Sequence, residues 1–139
     1  MNNISIVEFI KKSPKTELHL HIEGTLEPEQ MFLFAKRNNV QISFKNINEV
    51  KEAYNFNNLE SFLKIYYEGA KVLLKENDFF ELTWAYVLKC KEDNIVHTEI
   101  FFDPQTHTNR GISFDIIING IYKALKKAEE EFGLSFKII

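Results

Sequence analysis

Residues Thr16–Thr25 read TELHLHIEGT, and within them polar and apolar residues alternate strictly from Glu17 to Ile22. Strict alternation of this kind predicts a β-strand with one polar and one apolar face. His19 and His21 lie two residues apart, so both side chains project from the same face, with Cα atoms ~6.6 Å apart. Two imidazoles at that spacing can lean toward one metal ion at the usual Zn–N distance of ~2.0–2.1 Å. The stretch therefore predicts a strand that presents a pair of metal-binding histidines.

The polar face of this predicted strand also carries acidic residues. Glu17 and Glu23 share it with the histidines, whereas the opposite face is aliphatic: Leu18, Leu20 and Ile22. In an α/β barrel the polar face would point inward, and active sites lie where the strands end. The histidines come late in the strand, just before a glycine. Such a pair also arises by chance as partly buried, hydrogen-bonded residues, and imidazole binds iron, copper and nickel as well as zinc. Spacing alone leaves both the metal site and the metal open.

Helical patterns separate this strand from two further strand-like segments, Ile95–Phe102 and Leu134–Ile139. The expected helices are a short one opened by Pro28, one over 59–74, one with Asp78 as its N-cap, and one over 114–132 closed by Gly133. Residues 46–58 look polar and irregular. Strands that alternate with helices predict parallel βαβ units. The pattern is that of an α/β fold, and of the start of a barrel.

The composition is close to that of a soluble globular domain. The 139 residues are 45% hydrophobic and 27% charged, with a net charge of −3. This weak, mixed charge argues against a nucleic-acid or anionic-membrane partner, and no apolar run approaches the ~18 residues that span a bilayer. The lone Cys90 excludes an internal disulfide and a multi-cysteine metal site within the chain. Residues 1–15 lack the pattern of a signal peptide, so we expect a cytoplasmic protein.

The stretch from Pro14 to Pro28, PKTELHLHIEGTLEP, resembles the opening of the adenosine and adenine deaminase family. The resemblance implies a (β/α)8 TIM barrel with a helical insertion after the first strand, over residues 28–76, where it would cover the pocket. It also implies that His19 and His21 ligate a catalytic Zn2+, and that Glu23 lies near a small-molecule purine substrate. Adenosine deaminases usually carry Asp at that position, and the longer Glu favours a free base as substrate.

A second stretch, Glu99–Gly111 (EIFFDPQTHTNRG), is similar to the segment after the second strand of adenine deaminases. Alternation places Glu99, Phe101 and Asp103 on one face, with Asp103 at the active-site end. Asp103 is therefore a second candidate substrate-binding residue, or a residue that only shapes a turn before proline. His107 is expected in a loop, either touching substrate or exposed to solvent.

Several functional residues of the family have no counterpart here. The family carries a third zinc-binding His, a His-Ala-Gly-Glu segment with the catalytic Glu, a further catalytic His and an Asp-Asp pair. The other histidines in this sequence are His97 and His107. A barrel of eight strands typically needs ~250 residues. We therefore expect residues 1–139 to be a partial deaminase domain with about three strands and no catalytic residue. By itself such a chain should be inactive, and it should aggregate through its unpaired strand edges.

Alternatives remain open at this point. The resemblance implies a zinc-dependent aminohydrolase that converts adenine to hypoxanthine and ammonia, or adenosine to inosine. The chain could instead be a non-catalytic, truncated remnant of such an enzyme, or part of a different metal-dependent hydrolase of the same superfamily. The triplet from His21 to Glu23 also fits half of the cytidine-deaminase signature. That signature requires a Pro-Cys-x-x-Cys partner, which Cys90 does not supply.

Overall fold

The computed structural model describes residues 5–139, which form a three-stranded parallel sheet flanked by helices. The strands are β1 (Lys15–His21), β2 (Ile95–Phe101) and β3 (Ser135–Ile138), in the order β1-β2-β3. Both neighbouring pairs are parallel. The predicted α/β architecture is confirmed, and each strand begins or ends within two residues of its predicted bounds.

The helices follow the predicted order with four additions, which are the first helix, the 3-10 helix, the third α-helix and the sixth α-helix. They are α1 (Ile6–Lys12), a 3-10 helix (Ile22–Thr25), α2 (Pro28–Asn38), α3 (Ile47–Ala53), α4 (Leu59–Ala70), α5 (Glu76–Glu92), α6 (Pro104–Thr108) and α7 (Phe114–Phe132). Proline opens α2, as predicted, because it lacks the N–H that a first-turn residue would leave unpaired. Gly133 ends α7 with φ 74°, a left-handed conformation that glycine adopts without strain. No α-helix within residues 5–139 has the length and apolar content needed to cross a bilayer.

The core lies between the sheet and the long helices α5 and α7. Fully buried side chains from these three elements form it, namely Phe79, Leu82 and Val87 from α5, Ile117, Ile121 and Leu125 from α7, and Ile100 from β2. Burying a side chain of this size contributes about 1.5–3 kcal/mol. Gly120 lets the two helices come close, because a Cβ there would lie 2.4 Å from the Glu76 carbonyl oxygen. This packing holds β1 and β2 side by side.

The β1–β2 register contains an irregularity that changes the predicted faces. Glu17 pairs with Thr98 and Leu20 pairs with Ile100, so three steps along β1 oppose two steps along β2. The extra residue is a β-bulge, which inverts the alternation of faces. Glu17 consequently turns toward the helices, where Tyr86 on α5 donates a 2.7 Å hydrogen bond to its Oε2. The prediction that Glu17 shares the histidine face is wrong.

The predicted irregular segment 46–58 is also wrong in part, because seven of its residues form α3. The Asn46 side chain caps the helix by accepting a 3.0 Å hydrogen bond from the Glu49 N–H. Val50 is completely buried and fastens the helix to the core. A helix this short shows almost no periodicity in sequence, so its formation depends on the cap and on one tertiary contact.

The prediction that Asp78 is the N-cap of α5 is wrong, because Asp78 is the third residue of this helix. Its Oδ2 accepts hydrogen bonds from the backbone N–H groups of Leu74 (2.9 Å) and Lys75 (2.8 Å). It also accepts one from the Asn38 side chain at 2.7 Å and pairs with Arg37 on α2. A carboxylate in the first turn of α5 therefore satisfies backbone N–H groups that precede the helix. The pattern predicted over 59–74 ends as helix α4 at Ala70, before this turn.

Candidate active site

The two predicted metal ligands lie together at the carboxyl end of β1. His21 is the last residue of the strand and pairs with Phe101, the last residue of β2. The His19 and His21 ring centroids are 5.7 Å apart, with the planes inclined by 23°. The Phe101 ring stacks 4.3 Å from His19 and 5.6 Å from His21. Both histidines are exposed, and their stacking with the same Phe101 ring places them on one face.

This separation is compatible with a shared zinc ion. With Zn–N bonds of ~2.0–2.1 Å, each ring centroid lies ~3.2 Å from the metal, and a tetrahedral angle then sets the centroids ~5.2 Å apart. The observed 5.7 Å is about half an ångström wider. Within residues 5–139 no group of three His, Cys, Asp or Glu side chains is arranged to hold a metal. Catalytic zinc sites usually have three protein ligands, so the two imidazoles alone are fewer than such a set.

Asp103 lies beside the histidine pair, as the sequence predicts. It follows β2 directly, and its Oδ1 is 3.4 Å from the His21 Nδ1. Its side chain is 35% exposed, on the same side as the imidazoles. The Asp103 backbone N–H donates a 2.9 Å hydrogen bond to the Glu23 Oε1. One partly exposed carboxylate, that of Asp103, therefore borders the two histidines. A second carboxylate holds Asp103 in place through its backbone N–H.

Glu23 is that second carboxylate, and its side chain is completely buried. The 3-10 helix that follows β1 turns it away from solvent toward α4 and α6. The Tyr66 hydroxyl on α4 lies 3.2 Å from the Glu23 Oε2 and 2.7 Å from the Asp103 Oδ2. A hydroxyl carries one proton, which the shorter contact assigns to Asp103. Burial, with Glu23 and Asp103 close by, raises the pKa of Tyr66 well above its usual value, so the phenol stays neutral.

His107 differs most from its predicted environment. It lies on the short helix α6, not in a loop, and its side chain has no exposed surface. Its ring packs edge-on against Phe79 with centroids 4.9 Å apart. The Nε2 atom is 3.0 Å from the Glu23 Oε1, and the Nδ1 atom is 2.8 Å from the Arg110 Nη2. The prediction of a solvent-exposed loop histidine is wrong. The available signal was Pro104, which opens α6 at its first position.

The fourth histidine, His97, lies on β2 away from this cluster. Its Nδ1 is 2.9 Å from the Ser135 Oγ on β3, and its Nε2 is 3.6 Å from the Glu99 Oε1. The contact with Ser135 ties β2 to β3. The structure therefore brings His19, His21, Glu23 and Asp103 together and leaves His97 out.

A groove lies on another side of the molecule. It has a volume of about 540 Å³, and it runs along the helix side of β1, where Glu17, Leu20, Tyr54 and Tyr86 line it. Active sites of barrel enzymes form at the carboxyl ends of the strands. We therefore place the candidate site at the histidine pair and not in the groove.

The geometry at the strand ends agrees with the comparison of the whole sequence. The family model described as adenosine deaminase matches residues 14–139. The chain belongs to the adenosine deaminase family. This result confirms the family that the two sequence stretches indicate.

Relatives of this deaminase chain are considerably longer than the chain itself. It is 60% identical over 135 residues to the adenine deaminase of Wolinella succinogenes, covering 97% of this chain and 41% of the relative. It is 58% identical over 132 residues to the adenine deaminase of Acinetobacter baylyi, covering 95% and 40%. The chain thus spans about 40% of the length of the curated relatives it matches.

Solved structures show the same relationship. The crystal structure of adenine deaminase from Arthrobacter aurescens aligns with a TM-score of 0.85 at 44% identity, covering 90% of this chain and 38% of that one. A zinc-bound amidohydrolase from Burkholderia ambifaria aligns with a TM-score of 0.81 at 21% identity, over 99% of this chain and 38% of that one, and shows the shared fold. The deaminase chain therefore has the fold of the N-terminal part of the family's TIM barrel, and the barrel is incomplete, as predicted.

Proposed function

We propose that this chain forms the N-terminal part of a zinc-dependent adenine deaminase, which converts adenine and water to hypoxanthine and ammonia. The observation that carries the proposal is the pair of exposed imidazoles, 5.7 Å apart at the end of β1, with Asp103 3.4 Å from one of them. The name adenine deaminase borne by relatives 57–60% identical to this chain supports adenine as the substrate.

Each site residue has a role in this proposal. His19 and His21 hold the zinc ion, which when bound supplies Lewis-acid activation of a water molecule. Asp103, half-exposed beside His21, faces the purine and accepts hydrogen bonds from its N–H groups. Glu23 lies behind Asp103 and holds it through the Asp103 backbone N–H, so it acts on the purine side through Asp103. We assign no catalytic acid or base to this chain, and we propose that residues 1–139 are one part of a single deaminase domain.

The choice of adenine over adenosine rests on the relatives 57–60% identical to this chain, which are named adenine deaminase. We also propose a cytoplasmic location, because the thiol of Cys90 is buried and unpaired and no disulfide is needed to hold the fold.

A hybrid enzyme tests this function without relying on the isolated chain. In it, this chain replaces the 135 matching residues of the Wolinella succinogenes adenine deaminase. Ammonia release is measured with adenine and, separately, with adenosine, and bound zinc is measured by elemental analysis. We expect adenine turnover, with about one zinc per protein, and little turnover of adenosine.

Matched variants assign the result to the histidine pair. His19→Ala and His21→Ala in the hybrid enzyme should each lose most of the zinc and the activity, because removing one ligand disrupts the set. His97→Ala is the control, since His97 contacts Ser135 and not the site. A folded hybrid that binds zinc but prefers adenosine would support the adenosine alternative. A folded hybrid without zinc or activity would support a non-catalytic remnant and overturn the proposal.

A further inference from the structure

His107 is a buried polar side chain with no role in the function proposed above. Both of its ring nitrogens have a partner, although the ring has no exposed surface. Arginine has five N–H donors and no acceptor. The 2.8 Å contact between the Arg110 Nη2 and the His107 Nδ1 therefore requires a lone pair on Nδ1. The ring is neutral with its proton on Nε2, which donates to the Glu23 Oε1 at 3.0 Å.

The arginine that sets this tautomer is held in place by backbone carbonyl groups. Its Nη1 donates to the Lys71 carbonyl, and its Nη2 donates to the Ala70 carbonyl, both at 3.0 Å. These carbonyls end helix α4, where a cation is favourable because the helix dipole places partial negative charge there. Its Nε donates to the Thr106 carbonyl at 3.0 Å, within the turn that contains His107. Arg110 is thus fixed by two elements and cannot rotate away from the imidazole.

The consequence falls on Glu23 and then on Asp103. The Glu23 Oε1 accepts from the His107 Nε2 and from the Asp103 backbone N–H, so a side chain within α6 and the backbone at its N-cap together fix the carboxylate. We propose that His107 is a positioning residue that holds Glu23 and, through Glu23, sets Asp103 against the metal-binding pair. His107 touches neither metal nor substrate. The inference rests on the proposed function, because it assigns Asp103 and Glu23 to the substrate side.

Three substitutions separate hydrogen bonding from packing. His107→Gln places an amide N–H near the position of Nε2 and keeps the donor to Glu23. His107→Asn places an amide oxygen near the position of Nδ1, so it keeps the acceptor for Arg110 and loses the donor to Glu23. His107→Leu keeps apolar contact with Phe79 and loses both hydrogen bonds. The three variants therefore differ in whether the contact to the carboxylate survives.

Steady-state kinetics of the hybrid enzyme with adenine measure the effect. A hydrogen bond to a charged group is worth enough to change binding by about 10-fold to 100-fold. We expect KM to rise by that factor in His107→Asn and His107→Leu, kcat to change less, and zinc content to stay constant. His107→Gln should stay within about threefold of the parent KM. A merely structural role would lower the amount of active enzyme in all three variants at unchanged KM, and that result, or an equal KM shift in all three, would overturn the inference.

A second measurement does not depend on activity. Long-range 15N–1H NMR of the imidazole in the folded hybrid enzyme reports which ring nitrogen carries the proton. The neutral Nε2–H form supports the inference, and the Nδ1–H form or an imidazolium overturns it. An inactive parent hybrid would count against the proposed function, whereas the tautomer would still decide whether His107 donates to Glu23.

Discussion

Gly120→Ala is the substitution for which this structure predicts the clearest loss of stability. Gly120 lies within α7 and faces α5. A Cβ at this position would lie 2.4 Å from the Glu76 carbonyl oxygen, 2.7 Å from the Phe79 Cβ and 3.0 Å from the Phe80 backbone nitrogen. These are backbone atoms or atoms bonded to the backbone, so no side-chain rotation relieves the contact. The two helices must move apart.

The size of the effect follows from two opposing contributions. Non-bonded carbon contacts are most favourable at about 3.5–4.0 Å, so the helices would have to separate by roughly 1 Å. Overpacking a buried position typically costs about 1–3 kcal/mol, and contact with backbone places this case at the upper end. Alanine is favoured over glycine in a helix by about 1 kcal/mol. We therefore expect Gly120→Ala to lower the free energy of unfolding by about 2 kcal/mol.

Urea unfolding of the hybrid enzyme, followed by circular dichroism, measures the change, and Gly69→Ala is its control. A Cβ at Gly69 would lie 3.1 Å from the Leu26 Cδ2 and 3.2 Å from the Met31 Cε. Both are ends of flexible side chains that can shift by a few tenths of an ångström. Gly69→Ala should therefore stay within about 1 kcal/mol of the parent. If Gly120→Ala were as stable as the parent, or Gly69→Ala were the more damaging change, the close approach of α5 and α7 would be refuted.

Two further residues, Asp78 and Cys90, allow tests of other parts of the fold. Asp78→Asn puts an amide where a buried carboxylate accepts from Leu74 and Lys75, and in urea unfolding it should lower the free energy of unfolding by about 3–5 kcal/mol. The control is Glu81→Gln, at the partly exposed partner of Arg37, which should lower it by less than about 1 kcal/mol. Equal losses in the two variants would contradict the role assigned to Asp78. Burial raises the pKa of the Cys90 thiol to about 11, so peptide-resolved alkylation at pH 8 should be slow until the protein is unfolded, and fast labelling of the native protein would show that the thiol is accessible. Because folding favours the neutral thiol, its contribution to stability is present below about pH 9 and lost as pH rises toward 11; a parent and Cys90→Ala pair with identical stability across this range would contradict the raised pKa.

The histidine pair could be located from sequence because strand alternation is a local property. His19 and His21 needed only the spacing of two, and their rings lie 5.7 Å apart on one face although the register shifts between Glu17 and Leu20. Glu17, on the other side of the bulge, was assigned to the wrong face for the same reason. A bulge is set by how β1 pairs with β2, some 80 residues later in the chain. Nothing in the residues around Glu17 reports that pairing.

The buried half of the site could not be predicted in the same way. Helix α6 has five residues, too few for a periodic pattern. The burial of His107 depends on Phe79, Arg110 and Glu23, and the last of these is 84 residues away in sequence. A histidine after an Asp-Pro pair looks like a turn residue until the partners are known. The resemblance to adenine deaminases nevertheless marked the whole segment as functional.

The contacts divide the chain into a scaffold and a site that should respond differently to substitution. The packing of α5 against α7 positions β1 and β2, and it includes Phe79, which contacts the His107 ring. The hydrogen-bond network of Tyr66, His107 and Arg110 instead reaches the two carboxylates beside the histidine pair, which are those of Glu23 and Asp103. Changes at Gly120 should therefore lower stability and leave KM nearly constant, whereas loss of the donor at His107 should raise KM and also lower stability, because the Glu23 carboxylate that loses this partner is completely buried. The N-terminal part of the barrel thus carries the exposed pair His19 and His21 together with the polar framework that keeps their neighbouring carboxylate in place.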